Sequence, residues 1–231
     1  MTRAALPLAL ALALLPAASA AAAIPHVLVE HDLPGMKASF TATHPLTTIK
    51  RFVLVYSDDG SRKRDKVELR QCGFRGGTAT ALFQSAASSD ATKPVAVWTS
   101  VVQCRTPALA RRFAREERAD VNREWTKKPT AATVRNQPAS KLPPGSYAAV
   151  AATKLLGGGK ASLTIVLVPR GQKVAVLTLT SQTGFDPYPQ ARNLMRRMLG
   201  LAPIPVRSAK PKAIEVDPIG VPVETARFVR P

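Results

Sequence analysis

Three histidines, His26, His31 and His44, are the side chains of this chain best suited to moving protons near neutral pH. All three fall in its N-terminal part. None shows the i, i+4 spacing that sets two imidazoles on one helix face for a metal. Serine, histidine and aspartate are all present, but the Gly-x-Ser-x-Gly elbow of a nucleophilic serine is absent. Glu116 and Glu117 are the best candidates for paired carboxylates, yet they lie in an arginine-rich run that reads as a solvated helix face. Gly157-Gly158-Gly159-Lys160 invites comparison with a phosphate-cradling loop. A Walker A motif needs a glycine five residues before the Gly-Lys pair and a hydroxyl residue after it, and Lys154 and Ala161 occupy those places. The loop therefore reads as a flexible turn. No catalytic, cofactor-binding or metal-ligating residue is expected, and the chain is not expected to be an enzyme.

Cys72 and Cys104 are the two cysteines of the chain. A hairpin that turns around Ala87–Asp90 sets them opposite each other across the ribbon, or one pleat apart. In an exported protein that arrangement predicts a disulfide. A reactive thiol or a metal pair is the rival reading, and no histidine lies near either cysteine in sequence.

The elements that must position these residues follow from periodicity. Ala161–Val168 and Val174–Thr180 alternate as strands, with Leu163 and Ile165 on one face of the first and Ala175, Leu177 and Leu179 on one face of the second. Pro169-Arg170-Gly171 fits a three-residue loop, which sets Ile165 opposite Ala175 and Leu163 opposite Leu177. Tyr147–Leu155 precedes this hairpin as a third strand. A helix then opens at Asp186 and Pro187, carries Tyr188, Ala191, Leu194, Met195, Met198 and Leu199 as one apolar stripe, and closes at Gly200.

Upstream, Val27–Glu30 reads as an edge strand, and Lys37–Thr43, Arg51–Tyr56, Thr78–Phe83 and Val95–Gln103 as further strands. Ser57-Asp58-Asp59-Gly60 is a turn signal, and Ser61–Lys66 continues it as a charged loop. A second helix is capped by Thr106 with Pro107 in its first turn. Leu109, Ala110, Phe113, Ala114 and Val121 form its apolar side, and its arginines interleave with Glu116, Glu117 and Asp120. Residues 126–146 read as a surface connection.

Residues 1–20 read as a secretory signal: Arg3, then the apolar Leu6–Leu15, then Ala18-Ser19-Ala20. The apolar run is shorter than the about 20 residues that span a bilayer. Removing it leaves 32 basic against 15 acidic residues, a net +17. Such a surplus favours anionic partners such as a cell-envelope polymer. It reads as diffuse, because Lys50–Arg75 and Arg105–Lys128 each hold eight basic and four acidic residues. Clustered aromatics or a nucleic-acid module are missing, so nucleic acid is not an expected partner.

In order, the Val97-Trp98-Thr99-Ser100-Val101-Val102-Gln103-Cys104 strand runs into the Ala/Arg-rich helix Thr106–Asp120. Leu142-Pro143-Pro144-Gly145, the hairpin at Pro169-Arg170-Gly171 and the helix Asp186–Leu199 follow. From about Lys50 to Leu201 this order resembles the extracellular sensor-type domains of bacteria, including those of PknH-like receptor kinases. The resemblance implies a twisted antiparallel sheet with helices on one face and a cleft for an unidentified ligand. The chain departs from the kinase form in having no kinase domain, no membrane span and one disulfide where such domains can carry two. A signalling role and ligand residues therefore do not carry over.

The expected fold is α+β: an antiparallel sheet, two principal helices on one face, and a disordered Pro-rich tail. Residues 1–20 form the leader, 21–201 one domain with the 126–146 loop, and 202–231 the tail. The expected function is an exported, non-enzymatic, sensor-like binding domain, secreted or held at the periplasm or cell wall, for a small molecule or an anionic envelope polymer. The alternative is a secreted hydrolase whose site the sequence does not display. A histidine in a cleft beside a serine or aspartate would favour that alternative.

Overall fold

The computed structural model describes residues 24–57, 60–84, 94–127, 134–154, 160–182 and 187–205. Among them the order of elements is β1 (Met36–Leu46), α1 (Ile49–Tyr56), α2 (Arg62–Gln71), β2 (Gly76–Gln84), β3 (Ala96–Gln103), α3 (Pro107–Lys127), β4 (Val134–Asn136), β5 (Tyr147–Lys154), β6 (Lys160–Arg170), β7 (Lys173–Gln182) and α4 (Tyr188–Met198). The strands form one sheet in the order β1-β2-β3-β7-β6-β5-β4, with neighbours antiparallel throughout. Two meanders, β1–β3 and β4–β7, are joined by α3 and meet where β3 pairs with β7. The expected α+β class and antiparallel sheet hold.

The helices do not share one face. Phe52 and Val53 of α1, Leu69 of α2 and Phe113 of α3 pack with Ile165, Leu167, Val174 and Val176. Tyr188, Leu194 and Met195 of α4 pack on the opposite side with Val166, Val168, Ala175, Leu177 and Leu179, and Val27 and Leu28 join them. The central strands are apolar on both faces, so each face needs a cover.

The same fact corrects the hairpin register. Arg170 pairs with Lys173, so the turn is the two residues Gly171-Gln172, with Gly171 at φ +58°. A glycine of positive φ at the first turn position suits a two-residue hairpin. Ile165 therefore faces Thr178, and Leu163 faces Thr180, instead of Ala175 and Leu177. The expected register assumed that the leucine-rich faces must coincide. With both faces buried, burial does not choose between them.

Arg51–Tyr56 lies in helix α1, not a strand, and Arg62–Lys66 lies in helix α2 with Ser61 as its N-cap, not in a loop. A short apolar run does not by itself distinguish the two periods. Thr48 caps α1 by accepting from the Arg51 N–H at 3.4 Å, and Phe52, Val53 and Tyr56 are its buried residues. Gly77 lets this helix close on β2, since a Cβ there would lie 2.4 Å from Phe52 Cε2. Residues 27–29 are irregular and run into a 3-10 turn, Glu30–Asp32, in place of the expected edge strand. Their cover over the sheet is fixed by Leu28 N–H donating to Thr99 Oγ1 at 3.1 Å. The expected 126–146 loop contains the short edge strand β4.

The start of α3 and the end of α4 are as expected, whereas Pro187, expected as the first helical residue of α4, is its N-cap. Leu109 N–H donates to Thr106 Oγ1 at 3.2 Å at the start of α3. Gly200, at φ +65°, closes α4: Gly200 N–H donates to Arg197 O and Leu201 N–H to Arg196 O, the paired bonds of a Schellman motif. Residues 202–205, assigned to the tail from sequence, lie beside α4, where Asn193 bonds both the N–H and the carbonyl of Ile204. The expected leader at 1–20, the expected turn around Ala87–Asp90, Gly157-Gly158-Gly159, Asp186 and residues 206–231 lie outside the described residues.

Candidate functional site

The sequence singled out Cys72 and Cys104, and the fold brings them together by a different route. Cys72 is not on a strand; it ends α2, while Cys104 follows β3. β2 and β3 pair only from Gly76 opposite Gln103 onward, but the Arg105 N–H donates to Cys72 O at 3.0 Å and extends the contact. Both side chains are buried thiols. Their mutual hydrogen bond, followed by burial, drives the Cys104 pKa above the ordinary thiol range.

One turn back along α2 lies a feature the sequence reading missed. Ser61, Asp65, Glu68 and Leu69 all face inward, toward Glu117 and Asp120 of α3. Glu117 is 4% exposed and Asp120 6%, so the carboxylates expected on a solvated helix side are in the interior. Tyr56 Oη donates to Glu117 Oε1 at 2.5 Å, and Ser61 Oγ to Asp65 Oδ2 at 2.9 Å. Arg64 Nε stands 2.9 Å from Asp120 Oδ2, 3.5 Å from Asp65 Oδ1 and 3.9 Å from Glu68 Oε1. Arg123 also pairs with Asp120. Burial, reinforced by the charges of Glu117 and Asp65 and opposed by Arg64, pushes the Glu68 carboxyl up to about 7. Of the expected carboxylate pair, only Glu116 reaches solvent in part, bonded by Arg112 at 2.6 Å. The missed signal was spacing: Phe113, Glu117, Asp120 and Val121 fall on one side of a helix by the rule that had placed Phe113 and Val121 in the core. Among the described residues no group of three or more His, Cys, Asp or Glu is arranged to hold a metal.

His26, His31 and His44 are each exposed, on the leading segment, the 3-10 turn and β1 respectively. His26 borders an open groove of about 270 Å³ on the α4 face of the sheet, where β2 and β7 begin and β3 ends. One wall is Pro25-His26-Val27, tied to α4 by His26 N–H donating to Met198 O at 2.9 Å. Pro45 lies at the edge, and Gly76, Thr78, Val101, Gln103 and Lys173 complete the lining. Register explains the grouping: Gln103 pairs with Gly76 on one side and Lys173 on the other. The row runs glycine, primary amide, ammonium, and the floor is bare at Gly76 beside the amide. No serine, aspartate, glutamate or cysteine lines the groove, so His26 has no carboxylate partner there, and the hydroxyl in the lining is that of Thr78. What the lining offers is hydrogen bonds and one positive charge around an apolar floor.

The chain matches no family model and no curated protein. Among solved structures it is similar to the extracellular domain of PknH from Mycobacterium tuberculosis, at 12% identity and a TM-score of 0.43, over 72% of this chain and 84% of that one. That protein belongs to the group whose element order the sequence resembles. No described helix is long and apolar enough to cross a membrane.

Proposed function

We propose that the chain is an exported, non-enzymatic, sensor-like binding domain that acts in the cell envelope or outside the cell, with the groove on the α4 face as its site for a small anionic molecule. The observation that carries this reading is the lining: Lys173 and Gln103 in one row with the bare floor at Gly76. Lys173 would attract the anion, and Gln103 and Thr78 would orient it. The leader-like first twenty residues support export. The reading includes a disulfide between Cys72 and Cys104 in the exported protein, supported by the burial and hydrogen-bonded contact of the two thiols.

A thermal-shift screen of the protein against small carboxylates, phosphates and envelope fragments tests the site, because a ligand selective for the folded state raises its melting temperature. At least one anionic compound should raise it, and Lys173→Glu should abolish that rise while leaving the unliganded melting temperature close to wild type. A panel without effect, or a shift indifferent to Lys173→Glu, would remove the groove as the site.

A further inference from the structure

The helices on the α1–α3 side sort their charges by depth. Asp65, Glu68, Glu117 and Asp120 are buried, and among the described side chains of these helices only Glu116 is an acid that reaches solvent. The bases point out: Lys50 and Arg51 on α1, Lys63 and Arg70 on α2, and Arg111 and Arg115 on α3 are all exposed. The described side chains of these three helices therefore present more positive charge to solvent, relative to acid, than their own composition holds. On the described helices of this side the cations lie outside and most acids within.

Apolar groups interrupt that face in a regular way. The large exposed hydrophobic residues among those described are Leu54 at 56%, Val67 at 44% and Ile24, and the first two belong to α1 and α2. Leu54 stands four residues after Lys50, and Val67 four after Lys63 and three before Arg70, so each shares an outward helix stripe with cations. Each lies on the side of its helix away from the buried residues Phe52, Val53 and Tyr56, or Asp65, Glu68 and Leu69.

We infer that the outer face of α1–α3 docks on an anionic lipid surface, with the lysines and arginines at the headgroup charges and Leu54 and Val67 entering the headgroup–acyl boundary. A soluble polyanion would satisfy the cations but would gain little from two protruding aliphatic side chains. A bilayer surface satisfies both, since apolar insertion and attraction of basic residues to anionic headgroups act together there. The groove lies on the opposite face of the sheet, so this surface and the ligand site do not compete.

Co-sedimentation of the exported protein with phosphatidylcholine vesicles, with and without phosphatidylglycerol, is the direct test, with inorganic polyphosphate as a soluble polyanion. The protein should bind the phosphatidylglycerol vesicles and not the neutral ones, and should release as the screening length falls from about 10 Å at 0.1 M salt to about 3 Å at 1 M. Lys63→Glu/Arg111→Glu/Arg115→Glu should weaken vesicle binding by about tenfold or more. Leu54→Ser/Val67→Ser replaces exposed residues and should leave the fold intact, checked by its melting curve. It should weaken vesicle binding about threefold to tenfold and leave polyphosphate binding unchanged. Failure to bind the anionic vesicles would overturn the inference. So would vesicle binding indifferent to Leu54→Ser/Val67→Ser, which would make the face a general polyanion surface. Equal binding to neutral vesicles would also overturn it, because the cations would then be idle.

Discussion

The two faces of the sheet are covered by different means. On one side α4 and the leading segment lay Leu28, Leu194, Met195 and Met198 on Val166, Leu177 and Leu179, and the buried polar groups of the strands beneath are hydroxyls such as Thr80, Thr99 and Thr164. On the other side three helices bring Phe52, Leu69 and Phe113 to the sheet but also bury four carboxylates between α2 and α3. The first cover is held by apolar burial, which is indifferent to protonation. The second adds a charged network whose balance depends on Arg64, Tyr56 and the protonation of Glu68. A single sheet can thus carry one cover built on apolar contact and one that includes buried ionisable groups. Turning acids inward on the second face is also what leaves its outside cationic.

Large-to-small substitutions in the two covers are the strongest way to break that contrast. Phe113→Ala should cost about 3–5 kcal/mol and Met195→Ala about 2–5 kcal/mol in urea unfolding. Only the first should also change how stability depends on pH, because Glu117 lies one turn further along α3. Equal pH responses in both variants would show that the charged network is not coupled to its own core.

Somewhat smaller is the expected effect of the disulfide proposed between Cys72, at the end of α2, and Cys104, after β3. Non-reduced peptide mapping of the exported protein should show Cys72 joined to Cys104. Reduction should then lower stability by about 3–4 kcal/mol on the chain-entropy estimate. Two free thiols in protein taken from its native compartment would dispose of the link.

The pH response separates the faces most cleanly. Glu68 titrates at about 7 in the folded protein against an ordinary 4.5. Between those values the folded state keeps a proton that the unfolded chain has released, so the folded form binds more protons. Its contribution is whole below the ordinary value and declines as pH rises through the folded one. The melting temperature should fall between about pH 5 and pH 8, and Glu68→Gln, neutral throughout, should flatten the curve. An unchanged slope would show that Glu68 is not the group responsible.

Helix ends give the smallest expected effects and should be alike on the two sides. Thr106→Ala removes the hydroxyl cap of α3, and Gly200→Ala forces a side chain into the left-handed residue that closes α4. Each should cost about 1 kcal/mol, read from urea midpoints. A neutral Gly200→Ala would mean that the paired carbonyl bonds, rather than the glycine, terminate α4.

Local chemistry made much of this protein legible without its structure. Thr106 before Pro107 starts a helix, Gly200 ends one, and Tyr188, Ala191, Leu194, Met195 and Met198 at helical spacing bury one stripe, because each of those rules acts within a turn or two of chain. The antiparallel strands around Ala79–Leu82, Val97–Val102, Ala148–Ala151 and Ile165–Val168 were readable for the same reason, and so was the meeting of Cys72 with Cys104, although its geometry was not. What neighbours far along the chain decide could not be read locally. Phe52-Val53-Leu54-Val55 satisfies either a strand or a helix, and the contact of Phe52 with Gly77 belongs to the helical solution. The register of β6 on β7 depended on both faces of the sheet being covered, and the groove on Gly76, Gln103 and Lys173 meeting from three strands. Glu117 and Asp120 look like surface residues among arginines until α2 brings Arg64 to Asp120 and α1 brings Tyr56 to Glu117. Charge can be counted along a sequence, but whether a carboxylate meets water or a buried partner is settled only when elements distant in the chain are packed together.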